Sequence, residues 1–183
     1  MKKKQLLDEI AKEIEACEVC QKDSSGKPVP GEGNPNSDIV FIGEAPGKTE
    51  AQTGRPFVGR SGQLLRSLIR EIGLDEEDVF ITSPVKYLPD RGTPDSKQIA
   101  HGREHLMKQL HVIKPKFVVL LGRVAAEGVL QRKVAVVKDR GEVIEEKDGI
   151  SYFLTYHPAA ALRFQKYRPV LKADFAKVRE LLK

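Results

Sequence analysis

Hydrophobic positions recur along the chain in two patterns. Leu6, Leu7, Ile10 and Ile14 fall at helical spacing among charged residues, so residues 4 to 16 read as an amphipathic helix. Leu64, Leu65, Leu68, Ile69 and Ile72 repeat that spacing over residues 62 to 72, and Gly73 stops the helix. A third helix, capped by Asp95 or Ser96, runs to about Ile113. Short helical stretches cover residues 124 to 130 and the end of the chain, the last opened by Pro169. Between them lie short apolar runs: residues 38 to 43, 79 to 82, 117 to 122 and 152 to 156. Continuous apolar runs bounded by Gly or Pro are the signature of strands buried on both faces. Residues 22 to 36, 44 to 59 and 83 to 94 read as loops, and residues 131 to 150 as irregular and charged.

Strands alternating with helices predict an α/β fold: a three-layer α/β/α arrangement around a central four-stranded, mainly parallel sheet, formed by residues 1–183 as one domain. In such a sheet ligands bind beyond the carboxyl ends of the strands. Four segments fall there: Gly43 to Gly47, Ser83 to Tyr87, Gly122 to Ala125 and His157 to Ala160.

Composition narrows the class. The chain has 183 residues, 40% hydrophobic and 31% charged, as a globular chain has and a disordered one does not. Two Cys cannot staple a domain of this size. No apolar run is long enough to span a bilayer, and acidic Asp8 and Glu9 interrupt any signal-like segment after the basic start. The expectation is a cytoplasmic monomer with no membrane partner. The net charge of +5 permits an anionic partner. Several basic residues sit in or near the strand-end loops: Lys48, Arg60, Lys86, Arg91, Arg123 and Arg163. That placement suits phosphate contacts.

Each loop carries candidate chemistry. Gly43-Glu44-Ala45-Pro46-Gly47 makes a sharp turn that can present backbone N–H groups to a ligand. It lacks the Lys-Ser/Thr ending of a phosphate loop. Phe57, between Pro56 and Gly59, is either a core plug or a stacking platform. His157 sits where a parallel sheet puts its active site and can donate a hydrogen bond to a developing negative charge.

Together these segments resemble the family-4 uracil-DNA glycosylases. The similarity runs in order through Gly43 to Gly47, Gly54-Arg55-Pro56-Phe57-Val58-Gly59, Ser61-Gly62, Val85-Lys86, Thr93-Pro94, Pro115-Lys116, Leu121-Gly122-Arg123 and His157-Pro158-Ala159-Ala160. The resemblance implies a base-excision repair hydrolase. It would flip a uracil nucleotide out of DNA and hydrolyse the N-glycosidic bond. It implies catalytic roles for Glu44 and His157. Gly43, Ala45, Pro46, Gly47, Phe57 and Ser83 would bind the base. Lys86, Arg60, Leu162 and Arg163 would meet the DNA, Leu162 and Arg163 with Ala161 as the wedge. Where family-1 relatives carry an Asp, this chain has Ala45, which leaves Glu44 as the nearest carboxylate. Where the family usually has Asn to read the uracil edge, this chain has Ser83. Two alternatives stay open: a glycosylase for another deaminated base, and a non-catalytic protein that binds damaged bases.

The resemblance also implies a four-cysteine iron–sulfur cluster. Only Cys17 and Cys20 are present; the third and fourth thiolate positions fall on Tyr87 and Gly102. His101 and His105 flank Gly102, four apart on one helix face. Cys17-x-x-Cys20 with His101-x-x-x-His105 has the spacing of a structural Cys2His2 zinc site. The alternatives are no metal, or a 4Fe-4S cluster with non-Cys ligands.

Overall fold

The computed structural model describes residues 2–183. In chain order the elements are α1 (Lys2–Glu15), α2 (Glu18–Gln21), β1 (Ser24–Ser25), β2 (Glu32–Gly33), β3 (Ile39–Ile42), α3 (Lys48–Thr53), α4 (Arg60–Glu71), β4 (Val79–Thr82), β5 (Leu88–Pro89), α5 (Ser96–Ile113), β6 (Phe117–Leu121), α6 (Arg123–Leu130), α7 (Val136–Asp139), β7 (Glu142–Lys147), β8 (Ile150–Thr155), α8 (Pro158–Arg163) and α9 (Tyr167–Leu181).

The main sheet has six strands in the order β2-β4-β3-β6-β8-β7. Its centre, β4-β3-β6-β8, is parallel throughout and consists of the four strands that the apolar runs predict. The two extra strands, β2 and β7, are antiparallel edges. The four-strand expectation is therefore corrected to six. The charged stretch at 131–150 holds α7 and β7 instead of irregular chain. β7 reads Glu-Val-Ile-Glu-Glu-Lys and is at most half-buried, because only its β8 side is covered. An edge strand need not be apolar, so the pattern that marks central strands passes over it.

Alternation along each central strand splits its residues between two cores. Val40, Ile42, Val118, Leu120 and Leu154 face α1, α5 and α6. Ile39, Phe41, Val119, Leu121 and Phe153 face α4, α8 and α9. Both faces are apolar because both are covered, which produces the three layers. The cap of α5 is Asp95, whose carboxylate accepts from the Lys97 and Gln98 N–H groups while the Gln98 side chain closes the capping box. α4 starts at Arg60, two residues before the expected start. α9 starts at Tyr167, with Pro169 in its first turn where a missing N–H costs little. Among the described residues no helix is long and apolar enough to cross a membrane.

The carboxyl end of β8 is tied down by a buried acid. Asp174 on α9 is 2% exposed; it accepts from the Thr155 hydroxyl at 2.6 Å and pairs with the Arg140 guanidinium. Thr155 ends β8, two residues before His157. Replacing Asp174 by Ala strands a buried hydroxyl and an unpaired cation. The expected cost is roughly 3–5 kcal/mol in denaturant unfolding, and an unchanged midpoint would show that the pair anchors nothing.

Candidate functional site

The strand-end loops enclose a cleft of about 400 Å³. Glu44, Ala45, Pro46, Gly47, Phe57, Ser83 and His157 all line it, together with Lys48, Glu50, Ser61 and Ala159. Gly43 lies beneath the Phe57 ring: a Cβ added at Gly43 would come 2.4 Å from Phe57 Cζ and 3.7 Å from His157 Nε2. Only a glycine lets the aromatic ring approach the backbone this closely.

Phe57 takes a left-handed backbone conformation, φ 51°, which bulky residues rarely adopt and which costs on the order of 1–3 kcal/mol. Three anchors hold it there. The buried Glu50 carboxylate accepts from the N–H groups of Val58 at 2.9 Å and Gly59 at 2.7 Å. Arg66 on α4 donates to the carbonyls of Phe57 and Pro56, both at 2.9 Å, and is itself held by Glu32 and Glu76. Gly62 packs under the same peptide, where a Cβ would fall 2.0 Å from the Phe57 carbonyl carbon. The sequence read as a loop therefore carries a rigid platform. Nothing in one sequence separates Glu50 or Arg66 from the other charged residues.

His157 caps α8, and its Nδ1 accepts the Ala159 N–H at 3.1 Å. Burial pushes its imidazole down to about 4, so the ring is neutral at neutral pH. With Nδ1 used as acceptor, the single ring proton belongs on Nε2, which faces Gly43. The Phe57 and His157 ring centroids are 5.7 Å apart. Gly122 leaves room for the histidine; a Cβ there would stand 3.1 Å from His157 Cβ.

Glu44 is half-buried and accepts no hydrogen bond from a side chain or backbone group among the described residues. Burial raises its carboxyl above the usual range, against the attraction of Arg123. Ser83 is buried, and its hydroxyl donates to the Val85 carbonyl at 2.8 Å. Its only proton is committed, so toward the cleft Ser83 can act solely as an acceptor.

One DNA-contact expectation is overturned. Lys86 is 1% exposed, and its ammonium donates to Thr82 Oγ1 at 2.7 Å, Gln109 Oε1 at 2.8 Å and the Pro30 carbonyl at 3.1 Å. All three donors are spent inside the protein, and burial pushes the group down to about 7. Lys86 braces the end of β4 from behind and cannot meet a phosphate. Arg60, Leu162 and Arg163 are exposed, Arg60 at the start of α4 and the other two on α8. Arg55 and Arg66 are engaged by Glu32.

Away from the cleft, the side chains of Cys17, Cys20, His101 and His105 converge, with their ligand atoms all within 4.8 Å of one another. Cys17 Sγ lies 3.1 Å from His101 Nε2. Both ring nitrogens of the buried His105 lack a hydrogen-bond partner, a costly arrangement that a bound ion would relieve at one of them. This group could hold a metal ion. It does not fit the four-thiolate cluster. Tyr87 turns its hydroxyl to the Glu15 carbonyl at 3.3 Å, and a Cβ at Gly102 would lie 2.1 Å from the Pro84 oxygen. A cysteine at position 102 would have no room.

Comparison with known proteins follows the same lines. A family model described as the uracil DNA glycosylase superfamily matches residues 30–183. The type-4 uracil-DNA glycosylase of Sulfurisphaera tokodaii is 40% identical over 186 residues, covering 96% of this chain and 84% of that protein. That of Saccharolobus solfataricus is 41% identical, covering 96% and 86%. That of Archaeoglobus fulgidus is 37% identical, covering 96% and 92%.

The buried neutral His157 has a measurable consequence. Its folded pKa lies near 4 and its ordinary value is 6.5, so between those pH values the unfolded chain binds the extra proton. His157 therefore makes stability fall as pH drops from about 6.5 to 4. His157→Gln is expected to flatten that part of the stability profile relative to the unsubstituted protein; parallel profiles would show that the imidazole is not held neutral.

Proposed function

This chain belongs to the uracil DNA glycosylase superfamily, and on that footing we propose that it excises uracil from DNA, with His157 and Glu44 as its catalytic residues. The observation that carries the reading is the pairing of the His157 and Phe57 rings beside Gly43, with His157 Nδ1 already used as an acceptor so that the ring proton falls on Nε2. An extruded uracil stacked on Phe57 would place O2 against that donor. When the C1′–N1 bond breaks, its electron pair leaves with the base, and negative charge spreads over N1 and O2. A fixed donor at O2 stabilises that charge in a site shielded from bulk water. Water adds to the cationic C1′ and gives up a proton. Glu44 is the carboxylate free to order that water and take the proton, since Glu50 already performs the loop-fixing task; its raised pKa makes it a stronger base than a surface carboxylate.

Ser83 supplies the specificity. Uracil presents an N3–H donor, whereas cytosine presents a bare N3 acceptor. An acceptor-only hydroxyl pairs with the first and leaves the second facing lone pair against lone pair. The usual Asn reads two edges, so Ser83 is a leaner reader with the same preference. Arg60, Leu162 and Arg163 are assigned to the DNA around the cleft, the arginines on phosphates and Leu162 as part of the wedge.

The Cys17, Cys20, His101 and His105 group is assigned a structural zinc. A tetrahedral zinc with these ligands sets its donor atoms about 3.3–3.8 Å apart, a small closure from what the side chains already show. A four-iron cube interposes an edge of iron and sulfide between ligands and needs them spread wider. The ion would tie α2 to α5 and take no part in base excision.

The direct test is alkali cleavage of uracil-containing oligonucleotides after incubation with the protein, with hypoxanthine and xanthine substrates alongside. Uracil excision is expected, with His157→Ala lowering kcat by about 10²–10³-fold, and Ser83→Asn retaining or raising it. Product only from hypoxanthine or xanthine would favour the other-base reading, and none from any substrate the binding reading.

Metal analysis of the purified protein is expected to give zinc, with chelation lowering the melting temperature and His105→Ala abolishing retention. Free thiols with no zinc, or a brown protein carrying iron and sulfide, would refute the assignment.

A further inference from the structure

On either side of His157 and α8 in the chain, Tyr156, Phe164 and Tyr167 form a row of aromatic rings, each with a cation over it. Phe164, at the end of α8, is 47% exposed. Its ring meets Tyr167 edge to face, with centroids 5.9 Å apart, and Tyr167 lies 4.6 Å from Tyr156. The Arg163 guanidinium stands 5.3 Å from the Phe164 centroid, the Lys166 ammonium 5.2 Å from Tyr167 and the Arg140 guanidinium 5.6 Å from Tyr156. The cation–aromatic pairs among the described residues all fall in this one row.

The two ends of the row differ. Tyr156 directly precedes His157, and Tyr156 and Tyr167 are half-buried against the core beneath α9, which fixes their rings. Arg140 is neutralised by Asp174. At the outer end Phe164 is bare, and the exposed Arg163 and Lys166 form no ion pair among the described residues. α8 separates Phe164 from His157 by six residues, about 9 Å of helix. That places the ring within reach of the nucleotides flanking an extruded one.

We propose that this row is a binding track for unpaired DNA: Phe164 stacks on a base of the flanking strand, and Arg163 and Lys166 hold its phosphates. An exposed ring flanked by unpaired cations suits single strands, whose bases offer free π-faces beside a charged backbone. In a duplex the flanking bases are already stacked and paired, so the ring gains little there. The track therefore biases the protein toward uracil in single-stranded DNA. The bias rests on the excision reading, but the binding can be measured without it.

The test uses equilibrium binding of uracil-free oligonucleotides, single-stranded and as the matched duplex. Phe164→Ala should weaken single-strand binding roughly 5- to 150-fold, the equivalent of about 1–3 kcal/mol for one stacked base, with a much smaller effect on the duplex. Phe164→Leu keeps apolar bulk without the ring and should be as weak as Phe164→Ala. Phe164→Trp should retain affinity and, in a chain that has no other Trp, give an emission that single-stranded DNA quenches. A Leu variant that binds like the unsubstituted protein, a duplex loss as large as the single-strand loss, or an emission unchanged at saturation would each overturn the track. Failure of the unsubstituted protein to release uracil would refute the excision reading and leave these binding results standing.

Discussion

The cleft depends on one close approach: the Phe57 ring against the backbone of Gly43. A ring can lie there only if position 43 has no side chain and if Phe57 accepts a left-handed backbone. The second condition is unfavourable in isolation, so the surroundings must over-determine it. Glu50 takes the two N–H groups that follow Phe57, Arg66 takes the two carbonyls at and before it, and Gly62 lets the peptide settle on α4. The Phe57 ring is thus fixed before any ligand arrives, and in the proposed reading binding need not spend free energy ordering it. His157 is fixed from the other side by its own cap bond and by Gly122. The two rings then define a slot of set geometry, which electrostatic stabilisation of a leaving base requires.

How much of this was legible in the sequence follows from which forces leave a one-dimensional trace. Burial on both faces leaves a strong one, so the four parallel strands and the loops at their ends were readable from apolar runs alone. An edge strand covered on one side leaves a weak one, and β7 was missed for that reason. The cleft's lining was found because strand ends locate it and because the loop motifs resemble a known family. The supports were not found. Glu50 and Arg66 act through backbone atoms, and neither their type nor their spacing distinguishes them from solvated charges. Lys86 shows the opposite error: a lysine in a strand-end loop reads as a phosphate contact, yet three internal acceptors draw it inward. Charge in a loop says where a residue starts, not which way its side chain turns.

The same inward lysine links the cleft to the cysteine–histidine group. Lys86 and Thr82 meet Gln109 on α5, and α5 also carries His101 and His105. α5 thus runs from the potential metal ligands to the polar hub behind Ser83. An ion at the far end would restrain the N-terminal segment against a helix that already braces the loop carrying Ser83. Its contribution would be mechanical: a restraint needs ligands of adequate affinity, not a particular redox couple. A Cβ at position 102 would lie 2.1 Å from the Pro84 oxygen, so no side-chain ligand fits there, and the candidate ligand set on this helix is His101 with His105, one turn apart. It leaves the loop from Ser83 to Tyr87 free of metal bonds, held by the Lys86 hub and by the Tyr87 hydroxyl on the end of α1.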